Sequence, residues 1–310
     1  DNGWKLRAIT ARSEFADRVQ QDTDYTPSPL LYVARDHRFD TLSQEIRLEG
    51  RLGAAQWLAG VYADRDDHTL RFGQKTPMAF SAVTASQRGN THAAFTHWQW
   101  PLGGAWSVLA GARLEHSDTR FQLNGDAGRS QQSTHVSPKL ALQYQWRPDS
   151  QVYASLSEGF RAGGFNAFAP DSARRYEPET VRAAEIGVRG QALDRRLRYA
   201  LSVYAMDVRD MQVQQMPAAG LAYISNAASA RANGLEAELQ WLLGGGWRLH
   251  AALGVNSTRF RRFQDGANRH DGKHNPYAPD LTGELGVRYE DARGWRLGAS
   301  VNGVSKVYLD

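Results

Sequence analysis

The sequence predicts an all-β protein, a transmembrane antiparallel up-and-down β-barrel with short turns at one end and long loops at the other. Three observations support this fold class. Apolar and polar residues alternate with a period of two along most of the chain, short and long connections alternate between the strands, and the nine tryptophans cluster at the short turns. A wall with lipid on one face and a polar interior on the other accounts for all three.

About thirteen strands are predicted, each from a stretch in which apolar side chains recur at every second position. In GWRLHAALGV, for example, Trp247, Leu249, Ala251 and Leu253 share one face. Long helical patterns do not separate these stretches. The predicted strands are 4–18, 40–50, 54–67, 90–101, 105–117, 134–147, 151–159, 178–190, 196–212, 231–243, 246–260, 279–290 and 294–308.

The connections between these strands alternate in length. Because strands joined by tight turns must be antiparallel, the pattern predicts a meander, and short periplasmic turns with long extracellular loops are typical of outer-membrane barrels. Short turns are predicted near 51–53, 102–104, 147–150, 191–195, 244–246 and 291–293. Long loops are predicted at 19–39, 68–89, 118–133, 160–177, 213–230 and 261–278.

The tryptophans lie close to the short turns or the N-terminus, and none lies beside a long loop. Indole rings favour the membrane–water interface, so we expect a tryptophan girdle at one rim of the barrel. The alternative is that tryptophan simply begins strands in a soluble β-sandwich. The girdle residues are Trp4, Trp57, Trp98, Trp100, Trp106, Trp146, Trp241, Trp247 and Trp295.

Polar side chains occupy the opposite face of the same strands. Glu236 and Glu238 alternate with Leu235 and Leu239, for example. A soluble sandwich shows the same alternation, but so many long strands without a second apolar layer favour a barrel. Its polar face then lines a lumen and its apolar face meets lipid.

Composition limits the classes of function. The chain of 310 residues carries a formal net charge of +4 with its basic and acidic residues interspersed, so nucleic acid is not a predicted partner. No apolar run is long enough for a membrane-spanning helix, and the N-terminus does not resemble a signal peptide. There is no cysteine, which rules out disulfides and thiolate metal sites in this sequence.

Catalytic and metal-binding patterns are also lacking in the sequence. No G-x-S-x-G, P-loop or dinucleotide-binding motif occurs, so we assign no catalytic residue and expect the protein not to be an enzyme. His270 and His274 are the only close histidine pair, but Gly272 separates them within a predicted loop. A flexible glycine between the two imidazoles does not hold them in a fixed relative position for metal coordination, so no metal site is assigned.

Several segments resemble the TonB-dependent outer-membrane receptors, of the ferric-siderophore type. SEGFRAGGFN resembles that family's strand-to-loop signature, and the Asn-Ala…Arg…Gly-x-Glu-x-Glu pattern is similar to a later strand of the family. The matching segments follow the family's order over residues 40–310. They are TLSQEIRLEG (41–50), SEGFRAGGFN (157–166), RYEPETVRAAEIGVRG (175–190), ISNAASARANGLEAELQW (224–241), PYAPDLTGELGVRY (276–289) and VYLD (307–310).

The resemblance implies a partial barrel, about 13 of an expected 22 strands. Residues 1–310 would form part of the barrel domain, without the N-terminal plug domain and the C-terminal strands. The implied function is energy-coupled uptake of a ferric siderophore across the outer membrane of a Gram-negative bacterium. The implied partners are TonB, acting through the missing plug region, and the lipid bilayer with its lipopolysaccharide. No cofactor is implied, because iron enters only as chelated cargo.

Other functions remain open at this point. Haem, cobalamin or carbohydrate receptors occur in the same family. Two alternatives from other classes are a passive porin-like channel and a soluble all-β binding module. A porin requires an in-folded constriction loop with opposed charge clusters, which the sequence does not indicate.

Ligand-binding candidates come from the glycine-rich loop after the seventh strand. Arg161 suits an anionic ferric chelate, Phe160 and Phe165 suit aryl groups, and Asn166 lies beside them at the expected mouth. The alternative role is structural, with Arg161 and Asn166 holding the loop in place while the glycines supply turns of positive φ.

Overall fold

In the computed structural model, which describes residues 3–28, 30–218 and 221–309, thirteen long strands pair in chain order to form one antiparallel sheet. The all-β antiparallel fold predicted from the sequence is therefore confirmed. The strands are β1 (Lys5–Asp22), β2 (Tyr32–Leu52), β3 (Ala55–Lys75), β4 (Phe80–Gly103), β5 (Trp106–Leu123), β6 (Arg129–Arg147), β7 (Ser150–Arg161), β8 (Glu179–Ala192), β9 (Leu197–Ala218), β10 (Leu221–Gly244), β11 (Trp247–Asp265), β12 (Leu281–Glu290) and β13 (Arg296–Val304).

Smaller elements lie in the connections. Gly164–Phe165 pairs with Arg175–Tyr176, Asn268–Arg269 pairs with the end of β11, and a single 3₁₀ turn spans Asp171–Ala173. Within the described ranges, no helix has the length and apolar character needed to cross a bilayer.

Cross-strand register sorts the side chains onto two faces. Leu235 pairs with Val203 on one side and Val255 on the other, whereas the next residue, Glu236, pairs with Ser202 and Gly254. Paired residues of antiparallel strands point to the same side of the sheet. We call the side of Leu235 the apolar face and the side of Glu236 the polar face.

Within the described residues, the buried apolar side chains form small clusters around Phe121 and Phe260 at the long-loop end, and most large apolar side chains lie outside them. Among the described residues no large side chain is fully buried, and Leu6, Leu156 and Ile186 are 70%, 62% and 56% exposed. A soluble sandwich would cover these aliphatic side chains with a second sheet, whereas here a single layer presents them outward. A continuous apolar surface of this kind requires lipid or another apolar partner.

The nine tryptophans all lie at the short-turn end of the sheet, where the girdle prediction requires them. Four of them form a row, with ring centroids 5.6 Å apart for Trp4 and Trp57, 5.9 Å for Trp57 and Trp98, and 5.3 Å for Trp98 and Trp100. Contact of these rings with lipid stays a prediction. The tryptophans that lie within regular strand pairing have apolar or aromatic cross-strand partners. Examples are Trp100–Val108, Trp106–Tyr144, Trp241–Leu249 and Trp247–Tyr289.

The strands are longer than predicted at the long-loop end. The predicted loop 68–89 is almost entirely strand, because β3 continues to Lys75 and β4 begins at Phe80. The predicted loops 19–39, 118–133 and 213–230 are shortened in the same way. Hydrogen-bonded pairing continues here although the apolar residues no longer lie on the apolar face, so the pattern that marked the predicted strands ends before the strands do. The last predicted strand, 294–308, was too long at its C-terminal end, because β13 ends at Val304.

Candidate functional site

The connection between β7 and β8 folds back against the polar face instead of projecting from the sheet. Phe165 stacks on Phe121 with ring centroids 5.2 Å apart, and both belong to a buried cluster with Ala85. Phe168 packs edge-on against Phe72 at 5.0 Å. Phe121 and Phe72 lie on the polar face of β5 and β3, so residues 162–178 cover the polar face at its long-loop end.

Asn166 fastens this loop to β10. Its amide Nδ2 donates to the carbonyl oxygens of Ala173 and Ile224, at 3.0 and 2.8 Å, and its Oδ1 accepts from the backbone N–H of Ile224 at 2.9 Å. The residue is only 8% exposed. A buried side chain that satisfies backbone groups from two segments holds the loop in one position.

Further side chains hold the loop, and none of them was a candidate from the sequence. Asn226 on β10 accepts from the N–H of Glu177 at 2.6 Å and donates to its carbonyl oxygen at 2.7 Å. Buried Arg174 donates to the carbonyl oxygens of Asn166 and Ala167. Gln131 on β6 donates to the carbonyl of Tyr176 at 3.2 Å. Gln212 on β9 donates to the carbonyl oxygens of Ala162 and Glu177, at 2.8 and 3.1 Å. The loop is therefore tied to strands on both sides of its point of origin.

Of the four candidates from the glycine-rich loop, only Arg161 is exposed on the polar face. Among the described residues it has no carboxylate within ion-pair distance. It lies close enough to Tyr176 for its charge to lower the pKa of that hydroxyl, although burial outweighs this effect and raises the pKa above its ordinary value. Arg161 is thus a solvated cation available to a ligand.

The other candidates lie elsewhere. Phe165 and Asn166 are buried in loop packing, which is the structural role that the sequence also allowed. Phe160 stacks on His135 with ring centroids 4.3 Å apart, and register pairs His135 with Glu115 on the polar face of β5. A role for Phe160 in ligand binding stays a prediction.

A cluster of aromatic and imidazole rings lies on the polar face of β1, β2 and β3, near their long-loop ends. The side chains of His37 and His68 meet at their Nε2 atoms, with ring centroids 4.5 Å apart. Phe15 packs edge-on against His37 at 6.1 Å, and Phe39 against His68 at 5.8 Å. We call these four residues the aromatic cluster; Phe15 and Phe39 are exposed within it.

The sequence held a usable signal for this cluster. Strand register counted from the turn after Leu52 pairs Phe39 with His68 and places His37 two positions further along the same face. Counting the register as far as these residues requires β2 and β3 to continue beyond the residues in which apolar and polar side chains alternate. The predicted strands ended too early, and so both histidines were placed in or beside loops.

His270 and His274 do not converge. His270 packs on Phe263 and His274 on Tyr308, each with ring centroids 5.1 Å apart. Within the described part of the chain, no group of three or more His, Cys, Asp or Glu side chains is arranged to hold a metal ion.

Comparison with protein families gives a match over the full sequence. The family model described as "TonB dependent receptor-like, beta-barrel" matches residues 1–310. The pesticin receptor of Yersinia enterocolitica is 26% identical over 292 residues, which cover 90% of this chain and 40% of that protein. The metal-pseudopaline receptor CntO of Pseudomonas aeruginosa is 25% identical over 202 residues, covering 63% of this chain and 27% of that protein.

The fold also matches solved structures. The ferric yersiniabactin uptake receptor FyuA from Yersinia pestis superimposes with a TM-score of 0.82 at 22% sequence identity, over 99% of this chain and 48% of FyuA. The copper transporter OprC superimposes with a TM-score of 0.77 at 17% identity. The chain thus spans less than half the length of the pesticin receptor and of FyuA.

Proposed function

This chain belongs to the TonB-dependent receptor β-barrel family, and we propose that it forms wall and ligand-contacting loops of a receptor for energy-coupled uptake of a ferric siderophore. Receptors of this family lie in the outer membrane of Gram-negative bacteria. The apolar face accordingly meets lipid, the polar face lines the lumen, and the long-loop end opens to the exterior.

The observation that carries the proposal is the chemistry of the outer end of the polar face. Arg161 offers an exposed guanidinium there, and the aromatic cluster offers exposed rings on the same face. A guanidinium binds carboxylate or catecholate oxygens with charge-assisted hydrogen bonds, and aromatic rings stack on aryl groups. An anionic, aryl-containing ferric chelate fits this combination.

The names of the relatives support the same class of ligand. The metal-pseudopaline receptor CntO is named for a metal complex, and FyuA is described as a ferric yersiniabactin uptake receptor. Under the proposal, the chelate is captured at the mouth, and energy from TonB reaches the site through a plug region. Arg161 is held at the end of β7 by its pairing with Glu179, and the anchored loop 162–178 borders it on the polar face.

Replacing Arg161 with alanine is expected to weaken capture of the chelate about tenfold, since a hydrogen bond to a charged group contributes about 1.5–3 kcal/mol and 1.4 kcal/mol is a factor of ten. The assay is uptake of radiolabelled iron by iron-starved cells that express the receptor from its complete reading frame and lack other siderophore receptors. Catecholate, phenolate, hydroxamate and carboxylate siderophores are supplied in turn.

The matched control is Arg38→Ala. Arg38 is an exposed arginine on β2, also near the long-loop end, but it lies on the apolar face. Its replacement should leave uptake unchanged. Uptake of haem or cobalamin instead of any ferric siderophore would contradict the proposed cargo. Uptake by the Arg161→Ala variant equal to that of the wild type would show that Arg161 does not contribute to ligand binding.

A further inference from the structure

His37 and His68 bring two metal-ligating atoms together on the polar face. His68 pairs with Phe39, so His37 is its diagonal neighbour on the adjacent strand. Diagonal neighbours on paired strands lie about 7–8 Å apart, a distance that two imidazole side chains can close. The Nε2 atoms of the two rings are in contact, and among the described residues neither ring makes another hydrogen bond or an ion pair. The two nitrogens therefore face each other and no third polar group.

Packing restricts both imidazole rings to this arrangement. Phe15 contacts His37 edge-on, and Phe39 contacts His68 in the same way. Leu70, which register places opposite His37, packs against the buried cluster beneath the anchored loop. Both histidines are themselves partly buried. Side chains that are already ordered lose less conformational entropy when a ligand binds, so the pair is prepared for a common ligand.

The histidine pair lies outside the hydrocarbon of the bilayer. The residues on either side of His68 in the strand, Asp67 and Thr69, point to the opposite face. Asp67 forms ion pairs there with Arg65 and Arg88, at 3.0 and 2.6 Å. Charged side chains on the outward face mark a level beyond the apolar band. On the polar face at this level, the two imidazoles are accessible from the water-filled mouth.

Two imidazole nitrogens select a particular class of metal ion. Imidazole suits Zn²⁺, Cu²⁺ and Ni²⁺, whereas carboxylate, carbonyl and water oxygens suit Mg²⁺, Ca²⁺ and Mn²⁺. Two protein ligands fill only part of the coordination sphere of such an ion, so its other positions are left to water or to a small chelator. A siderophore that encloses its ferric ion in oxygen ligands leaves no position for an imidazole. The pair therefore suits a different metal species from the ferric cargo proposed above.

We infer that His37 and His68 form a binding site for a Cu²⁺, Ni²⁺ or Zn²⁺ ion that has two adjacent coordination positions open to exchange. Two water molecules leave the ion as the two Nε2 atoms bind to it, and water or a small chelator keeps the other positions. Because a zinc–nitrogen bond is about 2.0–2.1 Å long, the rings rotate apart to admit the ion between them. The inference depends on the polar face lining the mouth, and it does not depend on the ferric cargo.

The test is binding of Ni²⁺–nitrilotriacetate, which leaves two adjacent positions of the metal open, measured by titration calorimetry. The receptor is expressed from its complete reading frame without a polyhistidine tag and is purified in a mild detergent. The test variants are His37→Gln/His68→Gln and the two single substitutions. The control is His270→Gln/His274→Gln, which removes two imidazoles that do not converge. Heat-modifiable migration on gels establishes that each variant is folded.

We expect the affinity for Ni²⁺–nitrilotriacetate to fall at least about tenfold in each test variant, since loss of even an outer-shell partner costs about 10–100-fold in metal affinity. The control should bind as the wild type does. Equal binding by the double test variant and the wild type would overturn the inference. So would equal binding of Ni²⁺–ethylenediaminetetraacetate, which has no open position, because recognition would then be of the chelator and not of the metal.

Two further measurements separate the possible sources of the ion and the two proposals. Tighter binding of the nitrilotriacetate complex than of hydrated Ni²⁺ supports the site with a partly chelated ion as its ligand, and the reverse order supports it with a free ion. Iron uptake by the Arg161→Ala receptor tests the proposed function independently, because that variant keeps both imidazoles.

Discussion

Leu235→Arg is expected to destabilise the folded barrel by about 2–4 kcal/mol, the range measured for arginine at the bilayer midplane on the lipid face. Leu235 lies on the apolar face of β10, six residues from Trp241 at the short-turn end. That distance is about 20 Å along a strand, or about 14 Å along the membrane normal for a tilt near 45°. The substitution therefore puts a guanidinium near the middle of the apolar band.

Glu236→Arg is the matched control, because it introduces the same side chain one position further along the same strand. Glu236 points into the polar face between Ser202 and Gly254, and it forms no ion pair among the described residues. Arginine there stays solvated on the polar face, so we expect a change within about 0.5 kcal/mol, as for surface substitutions.

Urea unfolding of the receptor in lipid vesicles, followed by heat-modifiable migration on gels, measures both changes. A large loss for Leu235→Arg with a small one for Glu236→Arg agrees with lipid on the apolar face. Comparable losses for the two variants would mean that both faces meet the same environment, which is incompatible with a wall between lipid and lumen.

Asn166→Ala is expected to release loop 162–178 from the polar face. Alanine leaves the N–H and carbonyl of Ile224 and the carbonyl of Ala173 without the amide that now pairs with them. Each buried polar group left without a hydrogen-bond partner costs about 1–3 kcal/mol. The anchored position of the loop is therefore destabilised by several kcal/mol relative to a detached loop. Arg161 stays paired with Glu179 at the end of β7, but the loop that borders it is released, so siderophore uptake should fall together with loop order.

Hydrogen exchange at the amide of Ile224 and limited proteolysis within 162–178 report on this release. The matched control is Ser172→Ala, since Ser172 lies on the same loop, is exposed, and makes no side-chain hydrogen bond among the described residues. An exposed substitution of this kind should change stability by no more than about 0.5 kcal/mol. Exchange at Ile224 that is unchanged in Asn166→Ala would show that other contacts hold the loop.

The part of the fold that crosses the membrane could be predicted from the sequence, whereas the part beyond it could not. Along β10, the alternation of Leu235 and Leu239 with Glu236 and Glu238 fixed both strand and facing, because lipid and lumen impose opposite hydropathy. Beyond the apolar band the apolar side chains change face: Leu70, Phe72 and Phe121 lie on the polar face, against the loop 162–178. The alternation that marks the lipid face therefore ends there, although hydrogen-bonded pairing continues.

The candidate site shows the same division. Arg161 was found because a cation in a glycine-rich loop is conspicuous in sequence. The anchoring roles of Gln131 and Gln212 were not found, because each side chain bonds to backbone groups more than thirty residues away. His37 and His68 were missed because their contact depends on the pairing of β2 with β3, and the predicted strands ended before these residues.

The most direct test of the two-faced wall uses single cysteines at consecutive positions 235–241 of β10, since the sequence contains no cysteine of its own. Each cysteine carries a spin label, and its collisions with oxygen, which dissolves in lipid, and with a water-soluble nickel chelate are measured in vesicles. Lipid on the apolar face predicts high oxygen exposure at 235, 237 and 239 and high nickel exposure at 236, 238 and 240. Absence of this two-residue alternation, or its reversal, would contradict the assignment of the apolar face to lipid.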